Sequence, residues 1–288
     1  MGTESGAHRS VAITGAGSGL GRSVALKLAD KGYRVFGTAL TTAEVSELRD
    51  VSRGRVSLSL IDITDNEAVR TWARHVGDEI GSAGLNVLVS NAGTLTPGPL
   101  EVLPLRAVKY EFDVNVFGSI SVINAFLPAL RVARGRIVLI GAMTGRFAVP
   151  FDGPSSASKA ALEAVADVYR SELRPFGVEF VLAQPGNMRT SGPAKTARAM
   201  NRVADSFSDA QRGLYGAEFA KFTEALNKAQ IEGLSAEASA GRIIELIEEQ
   251  PAPTRAPMGP DAEKILRLVA EKSDLELDEL RRHYVGLD

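Results

Sequence analysis

The 288-residue sequence contains no cysteine, which excludes disulfides, thiolate metal sites and a thiol nucleophile. Histidine is scarce as well. The three histidines, His8, His75 and His283, lie far apart without the short spacing that metal sites use. We therefore expect no bound metal.

Neither sign of charge is in excess, because 33 Lys and Arg face 35 Asp and Glu, for a net charge of -2. Nucleic-acid binding needs clustered positive charge, so no nucleic-acid partner is expected. No apolar run approaches the roughly 20 residues of a membrane-spanning helix. The opening Met-Gly-Thr-Glu-Ser-Gly lacks an apolar signal segment and has Gly6 where a myristoylation signal needs Ser or Thr. We expect a cytoplasmic protein without a membrane partner.

Short β-branched runs alternate with helical patterns over roughly residues 10–182, as in βαβ units. The pattern predicts an α/β fold, a Rossmann-type doubly wound parallel sheet in one domain spanning residues 1–288. The predicted strands are residues 11–14, 34–38, 56–60, 86–90, 136–140 and 178–183.

Two later segments differ from this alternation. Residues 190–230 are helical in propensity and carry bulky apolar side chains, which fit either an amphipathic surface helix pair or a lid over an apolar pocket. These side chains are Met200, Val203, Phe207, Leu214, Tyr215, Phe219 and Phe222. From residue 251 a proline-rich stretch leads into a helical pattern at 262–282, predicted to form one terminal helix on the sheet edge.

A glycine-rich loop, residues 14–21 with the sequence Thr-Gly-Ala-Gly-Ser-Gly-Leu-Gly, follows the first predicted strand and opens a helix. Such glycines let the backbone approach a diphosphate, and the helix N-terminus offers free N–H groups. Taken alone, the loop fits a tight strand-to-helix turn equally well.

Further residues stand at matching places between the predicted elements: Asp62 after the third strand, Asn91-Ala92-Gly93 after the fourth, Asn115 in the next helix and Pro185-Gly186 after the sixth. Together with the glycine loop, they resemble the short-chain dehydrogenase/reductase family over about residues 10–190. The C-terminal region, with an extension at about 251–288, is similar to the steroid and retinol dehydrogenase branch.

The resemblance implies a nicotinamide dinucleotide and a small-molecule substrate. Asp62 would contact the adenine, or cap the helix before Asn66 and Glu67. Asn115 would brace the active site through a water. The implied cofactor-binding residues are Gly15, Gly17, Ser18, Gly19, Leu20, Gly21, Leu40, Thr41, Asp62, Ile63, Asn91, Ala92, Gly93, Lys159, Pro185, Gly186, Met188 and Thr190.

The second predicted strand ends in the sequence Thr-Ala-Leu-Thr-Thr, residues 38–42, which carries neither charge that discriminates between the dinucleotides. An acidic residue there would accept the ribose hydroxyls of NAD, and an Arg would pair with the NADP phosphate. The hydroxyls of Thr41 and Thr42 and the nearby Arg22 are the available phosphate partners. The sequence therefore favours NADP(H) over NAD(H).

The family's catalytic groups are a Ser, a Tyr about thirteen residues later, and a Lys four residues after the Tyr. The helix opening at residues 153–159 makes Lys159 the lysine, where it would bind the nicotinamide ribose and lower the pKa of its neighbour one turn away. The same register places Ser155 at the Tyr position and Ala142 at the Ser position. The implied catalytic set, Lys159, Asn115, Ser155 and Ala142, lacks both the general acid and the oxyanion donor.

Losing a general acid costs about 10² to 10⁴ in rate, and losing an oxyanion donor about 10² to 10³. Thr144, Ser156, Asp152 and Tyr215 are alternative proton donors, although each also fits a structural role. Tyr110 and Tyr169 are interpreted as packing residues.

Three hypotheses follow. The first is an atypical NAD(P)H-dependent ketoreductase for a bulky apolar carbonyl compound, with protonation by water or by the substrate. The second is a redox-neutral cyclase or isomerase, or a ligand-binding protein without catalysis. The third is an ordinary dehydrogenase inactivated by substitution at 142 and 155. Family resemblance and the nearly apolar helix at residues 155–174 imply a homodimer or homotetramer.

Overall fold

The structure, a computed structural model, describes residues 9–189 and 192–287, with the backbone alone for residues 192–195. Seven parallel strands form one sheet in the order β3-β2-β1-β4-β5-β6-β9, and β7 pairs with β8. The strands are β1 (Ser10–Ile13), β2 (Arg34–Ala39), β3 (Val56–Leu60), β4 (Val87–Ser90), β5 (Arg136–Ile140), β6 (Glu179–Pro185), β7 (Met188–Arg189), β8 (Leu234–Ser235) and β9 (Arg255–Met258). All six predicted strands are confirmed. The sequence analysis missed β9, whose Pro257 is compatible with its place at the sheet edge.

Helices cover both faces of this sheet, which confirms the doubly wound α/β class. They are α1 (Gly19–Asp30), α2 (Thr42–Val51), α3 (Asn66–Ile80), α4 (Leu105–Phe112), α5 (Ser119–Ala133), α6 (Gly153–Leu173), α7 (Gly192–Asp205), α8 (Asp209–Glu232), α9 (Ala236–Glu248), α10 (Pro260–Glu271) and α11 (Asp274–Tyr284). The side chains of β1 alternate between the two faces. Val11 and Ile13 pack with α1 and α9, whereas Ala12 packs with α3 and α5.

The chain runs outward from β1 through β2 to β3, and then returns to β4 on the other side of β1. Ligands bind at the carboxyl ends of the strands where the order of an open α/β sheet reverses. The loops after β1 and β4, which begin at Thr14 and Asn91, meet at that point, so the fold places the predicted cofactor loop at the switch.

The predicted lid consists of α7 and α8. The bulky side chains of Met200, Phe207, Phe219 and Phe222 pack against one another and against Val285 and Leu287, while Leu214 is exposed. These side chains hold the two helices together. Other residues of the same helices, Thr196 and Ala199 of α7 and Gln230 of α8, line a cavity, so the two predicted roles are compatible.

The predicted single terminal helix is two helices, α10 and α11. The chain breaks at Ser273, whose hydroxyl caps α11 and whose backbone N–H donates to the Glu276 carboxylate. The expected packing on the sheet edge is confirmed, because α10 contacts β9.

Helix α4, a π-helical turn at Asp113–Gly118 and α5 join into one helical stretch. By length and composition, Leu105–Ala133 could cross a membrane, with a mean hydropathy of 1.6. The sequence analysis expected no such stretch. Its inner face, including Val122, Phe126 and Leu130, belongs to the core beneath the sheet, as in a buried core helix.

Candidate active site

The glycine loop after β1 is shaped by close backbone approaches. Gly15 has a φ of 65°, a conformation that favours glycine, and an added Cβ would lie 3.2 Å from the Ala92 Cα. At Gly17 an added Cβ would lie 2.9 Å from the Cβ atoms of both Ala39 and Glu44. At these glycines no side chain blocks the approach to the N-terminus of α1, which fits a diphosphate.

A cavity of about 360 Å³ extends from this loop across the ends of β2, β3 and β4. Many of the predicted cofactor residues line it together: Gly15, Gly17, Ser18, Leu40, Asp62, Ile63, Asn91, Ala92 and Gly93. The alternative role of Asp62 as a helix cap is wrong, because Asp65 caps α3 and Asp62 accepts from the Thr64 N–H at 2.9 Å. Tyr110, interpreted as a packing residue, is half exposed and lines this cavity.

The residues expected to hold an NADP phosphate have other contacts. The guanidinium of Arg22 pairs with the Glu47 carboxylate at 2.7 Å, and the Thr41 hydroxyl caps α2 by accepting from the Glu44 N–H. Thr41 is not among the residues that line the cavity in the described part of the chain. The sequence analysis found no acidic residue at the end of β2. In the structure an acidic residue from the first turn of α2, Glu44, lines the cavity instead.

The loop after β4 is joined to the loop after β1. The Thr14 hydroxyl accepts from the backbone N–H groups of Asn91 and Ala92, each at 2.9 Å, and the Asn91 amide donates to the Thr14 carbonyl. These bonds fix the two sides of the switch point relative to each other.

Asn115 lies fully buried in the π-helical turn. Its side-chain oxygen accepts from the Thr94 N–H at 2.8 Å, and its amide donates to the Ser158 hydroxyl at 2.9 Å. Asn115 therefore connects the loop after β4 to α6, which carries Lys159.

A second cavity of about 510 Å³ adjoins the first at Asn91, Gly93 and Thr94. The structure brings Ala142, Ser155 and Lys159 together in its lining, as the sequence spacing predicts. The Lys159 ammonium donates to the Ile140 carbonyl at 2.9 Å, at the end of β5. Burial lowers the pKa of Lys159 to about 8, against the raising effect of the Glu111 carboxylate.

None of the four alternative proton donors appears in the described lining of this cavity. Asp152 is buried at the start of α6, Ser156 donates to it, and Tyr215 donates to Glu101 outside the cavity. Thr144 lies in a short helical turn after Ala142. Tyr169 stacks on Phe180 and donates to Asn124, as expected of a packing residue.

Glu111 and Asp152 are buried carboxyl groups outside the described lining of the cavity, and the sequence analysis assigned a site role to only one of them, Asp152. Glu111 accepts from the Thr96 N–H at 2.8 Å, and burial raises its pKa to about 7. Burial, together with the nearby Glu111 charge, raises the pKa of Asp152 to about 8. The Asp152 Oδ1 atom has no hydrogen-bond partner in the described structure.

The loop after β6 lines the second cavity with Pro185, Gly186 and Met188. The C-terminal helices position it. The Asp261 carboxylate of α10 accepts from the Asn187 backbone N–H at 2.7 Å, and the Asn187 amide donates to the Tyr284 hydroxyl. Thr190, predicted to touch the cofactor, lies outside the described residues, as does His8.

The remaining predicted cofactor residues, Gly19, Leu20 and Gly21, form the first turn of α1, and Leu20 lines the second cavity. His75 and His283 are exposed on α3 and α11. The described part of the chain contains no group of three or more His, Asp or Glu placed to hold a metal ion.

Of the residues that sequence reasoning missed, Glu44 had a readable signal. The spacing from Thr41 to Glu44 is that of a capping box, which would have placed the carboxylate beside the end of β2. Asp261 acts at a distance of more than 70 residues from the loop that it holds, so no local pattern could reveal it.

We expect replacement of Asp152 by Asn to stabilise the protein more at pH 8 than at pH 5. The folded state of the unmodified protein keeps this carboxyl protonated, so the stability it contributes is lost as the pH rises toward its pKa of about 8. The rise in melting temperature that Asp152→Asn causes should be at least about 2 °C larger at pH 8 than at pH 5. Differential scanning calorimetry measures it, with Asp205→Asn, an exposed acid at the end of α7, as the control. An equal effect of Asp152→Asn at both pH values would refute the assignment.

Proteins of known activity resemble this chain along most of its length. Residues 9–201 match the short chain dehydrogenase family. The chain is 31% identical over 242 residues to the NADPH-dependent 3-dehydrocapnine reductase of Ornithobacterium rhinotracheale, a match that covers 82% of this chain and 83% of that protein.

It is also 36% identical to retinol dehydrogenase 16 of Mus musculus, over 76% of this chain and 70% of that one, and 34% identical to human 17-beta-hydroxysteroid dehydrogenase type 6, over 78% and 70%. A short-chain dehydrogenase from Streptomyces avermitilis shares the fold with a TM-score of 0.78 and 26% identity, covering 99% of this chain and 100% of that one. The chain therefore belongs to the short-chain dehydrogenase/reductase family, in the branch of the retinol and steroid dehydrogenases, and is an oxidoreductase of that type.

Proposed function

We propose that the protein is an atypical ketoreductase that uses a nicotinamide dinucleotide and receives the final proton from water or from the substrate. One observation carries the proposal. The second cavity retains Lys159 and is also lined by Leu20 of the first turn of α1, while its described lining contains neither a phenol nor a carboxylic acid.

The dinucleotide, when bound, supplies the hydride. The glycine loop and the N-terminus of α1 would hold the diphosphate, and Lys159 would donate to the nicotinamide ribose. The contacts of Asn115 with Thr94 and Ser158 keep α6 in register with the loop after β4. Positioning of this kind supplies a large part of the rate enhancement and does not require an acid.

Protonation would differ from that provided by the family's Ser and Tyr. Ala142 offers no donor to the carbonyl oxygen, and the Ser155 hydroxyl is a far weaker acid than a phenol. A water molecule, or an acidic phenol or enol of the substrate, would then neutralise the alkoxide. The small side chains at 142 and 155 leave space for a water molecule or for such a group of the substrate.

The cavity fits a bulky carbonyl compound that is apolar along most of its length. Apolar side chains line one part of it: Leu20, Leu95, Ile140, Ala142, Met188 and Ala199. Arg202 and Gln230 of the lid add polar atoms at another part. The names of the relatives support a carbonyl or alcohol substrate, since they refer to the reduction of 3-dehydrocapnine and the dehydrogenation of retinol and of a hydroxysteroid.

A second candidate is a redox-neutral cyclase or isomerase, or a ligand-binding protein. The same lack of an acid favours it, because a cavity that binds without reducing its ligand has no need of a proton donor. A third possibility is an ordinary dehydrogenase inactivated by substitution at 142 and 155.

We propose a homodimer or homotetramer in the cytoplasm. Exposed apolar side chains on α4 to α6, namely Phe117, Val132 and Val168, support association between copies.

We expect NADH or NADPH to bind with a change in its fluorescence, and the bound dinucleotide to be oxidised by at least one bulky aromatic or polycyclic ketone. Fluorescence titration measures the binding, and loss of absorbance at the nicotinamide band measures the turnover. The same titration decides between NADP(H), which the sequence favours, and NAD(H).

Failure of both dinucleotides to bind at millimolar concentration would refute the proposal. Tight binding without oxidation across the ketone panel would favour the redox-neutral candidate instead.

We expect the double variant Ala142→Ser with Ser155→Tyr to gain alcohol oxidation by roughly 10²-fold or more, because it restores an acid and an oxyanion donor on an intact scaffold. Ala142→Ser with Ser155→Phe is the matched control, since it fills the same space without an ionisable hydroxyl. Steady-state kcat with secondary alcohols measures the gain. Equal rates for the Tyr and Phe variants would show that the scaffold no longer supports the chemistry of its relatives.

A further inference from the structure

The charges around the first cavity are acidic. Among the described residues that line it, Glu44 and Asp62 carry negative charge, and none is Lys or Arg. An NADP phosphate needs a positive partner at the ribose next to the adenine, whereas the free hydroxyls of NAD need an acceptor.

Glu44 is held in one orientation by the end of β2. One carboxylate oxygen, Oε2, accepts from the backbone N–H groups of Leu40 at 3.2 Å and Thr41 at 3.3 Å. The other oxygen, Oε1, accepts no hydrogen bond from the described part of the chain and is available to a ligand.

The same side chain lies against the glycine loop. A Cβ added at Gly17 would be 3.0 Å from the Glu44 carboxyl carbon. Glu44 therefore stands where the diphosphate loop and the end of β2 meet, which is the place of the adenosine ribose in folds of this kind.

Glu44 forms no ion pair with a described residue. Arg22, the cation that the sequence analysis considered for a phosphate, pairs with Glu47 at 2.7 Å. The Thr41 hydroxyl is bound to Glu44 itself, at 3.2 Å from Oε2. A phosphate at this ribose would meet the carboxylate at close range, and repulsion between like charges is strong where water is partly excluded.

We infer that Glu44 selects NAD(H) over NADP(H), by accepting the adenosine ribose hydroxyls and repelling a 2′-phosphate. The inference rests on the proposed dinucleotide site, and it reverses the preference that the sequence alone favours. It needs no step of catalysis, so binding alone tests it.

Dissociation constants for NADH and NADPH, measured by fluorescence or calorimetry, test the inference on the unmodified protein and on Glu44→Gln. Glutamine keeps an oxygen that can accept from Leu40 and Thr41, and removes the charge. Asp50→Asn is the matched control, because it removes one charge from the same helix away from the cavity. We expect NADH to bind the unmodified protein at least about tenfold more tightly than NADPH. Glu44→Gln should cut that ratio by about tenfold, and Asp50→Asn should leave it unchanged.

A salt series on the unmodified protein keeps the test independent of how well the variant folds. Screening should improve NADPH binding relative to NADH between low and high ionic strength. Equal or tighter binding of NADPH, or a ratio that neither Glu44→Gln nor salt changes, would overturn the inference while the ketoreductase proposal stands. Failure of both dinucleotides to bind would overturn both, and NADH binding without ketone turnover would overturn the ketoreductase proposal alone.

Discussion

The hydrogen bond from the Lys159 ammonium to the Ile140 carbonyl is the contact on which the site depends. It joins α6 to the end of β5, so that one turn of helix and one strand end share a fixed geometry. Because positions four residues apart face the same way on a helix, the bond also fixes where Ser155 stands. Burial lowers the pKa of Lys159 to about 8, and the Glu111 carboxylate acts in the opposite direction, so the ammonium charge persists at neutral pH.

The fixed geometry supports the proposal that the protein binds the cofactor of its family without the usual acid. The groups that would hold the dinucleotide belong to the glycine loop, the end of β4 and α6, and none of them depends on a phenol at 155. The buried acids Glu111 and Asp152 are absent from the described lining of the cavity. Glu111 acts on the charge of Lys159 from outside that lining.

The sequence predicted the parts of the structure that local patterns encode. Alternating apolar runs located β1 to β6, and the spacing from Ala142 to Ser155 to Lys159 placed three residues in one cavity. It missed β9 because a four-residue segment that contains a proline does not show the pattern of a strand. It missed the role of Asp261 because that contact joins distant parts of the chain. The sequence could not show whether the bulky lid residues, such as Phe219 and Phe222, line a pocket or pack in a core, because both environments are apolar. In the structure they pack in a core.

The most direct measurement of the central claim is a crystal structure of the protein with a dinucleotide and an unreactive alcohol analogue of the substrate. The account predicts the Lys159 ammonium within hydrogen-bond distance of the nicotinamide ribose. It also predicts water, and no protein acid, within about 3.2 Å of the alcohol oxygen. A tyrosine or carboxyl group at that oxygen, or a nicotinamide bound away from Lys159, would contradict it.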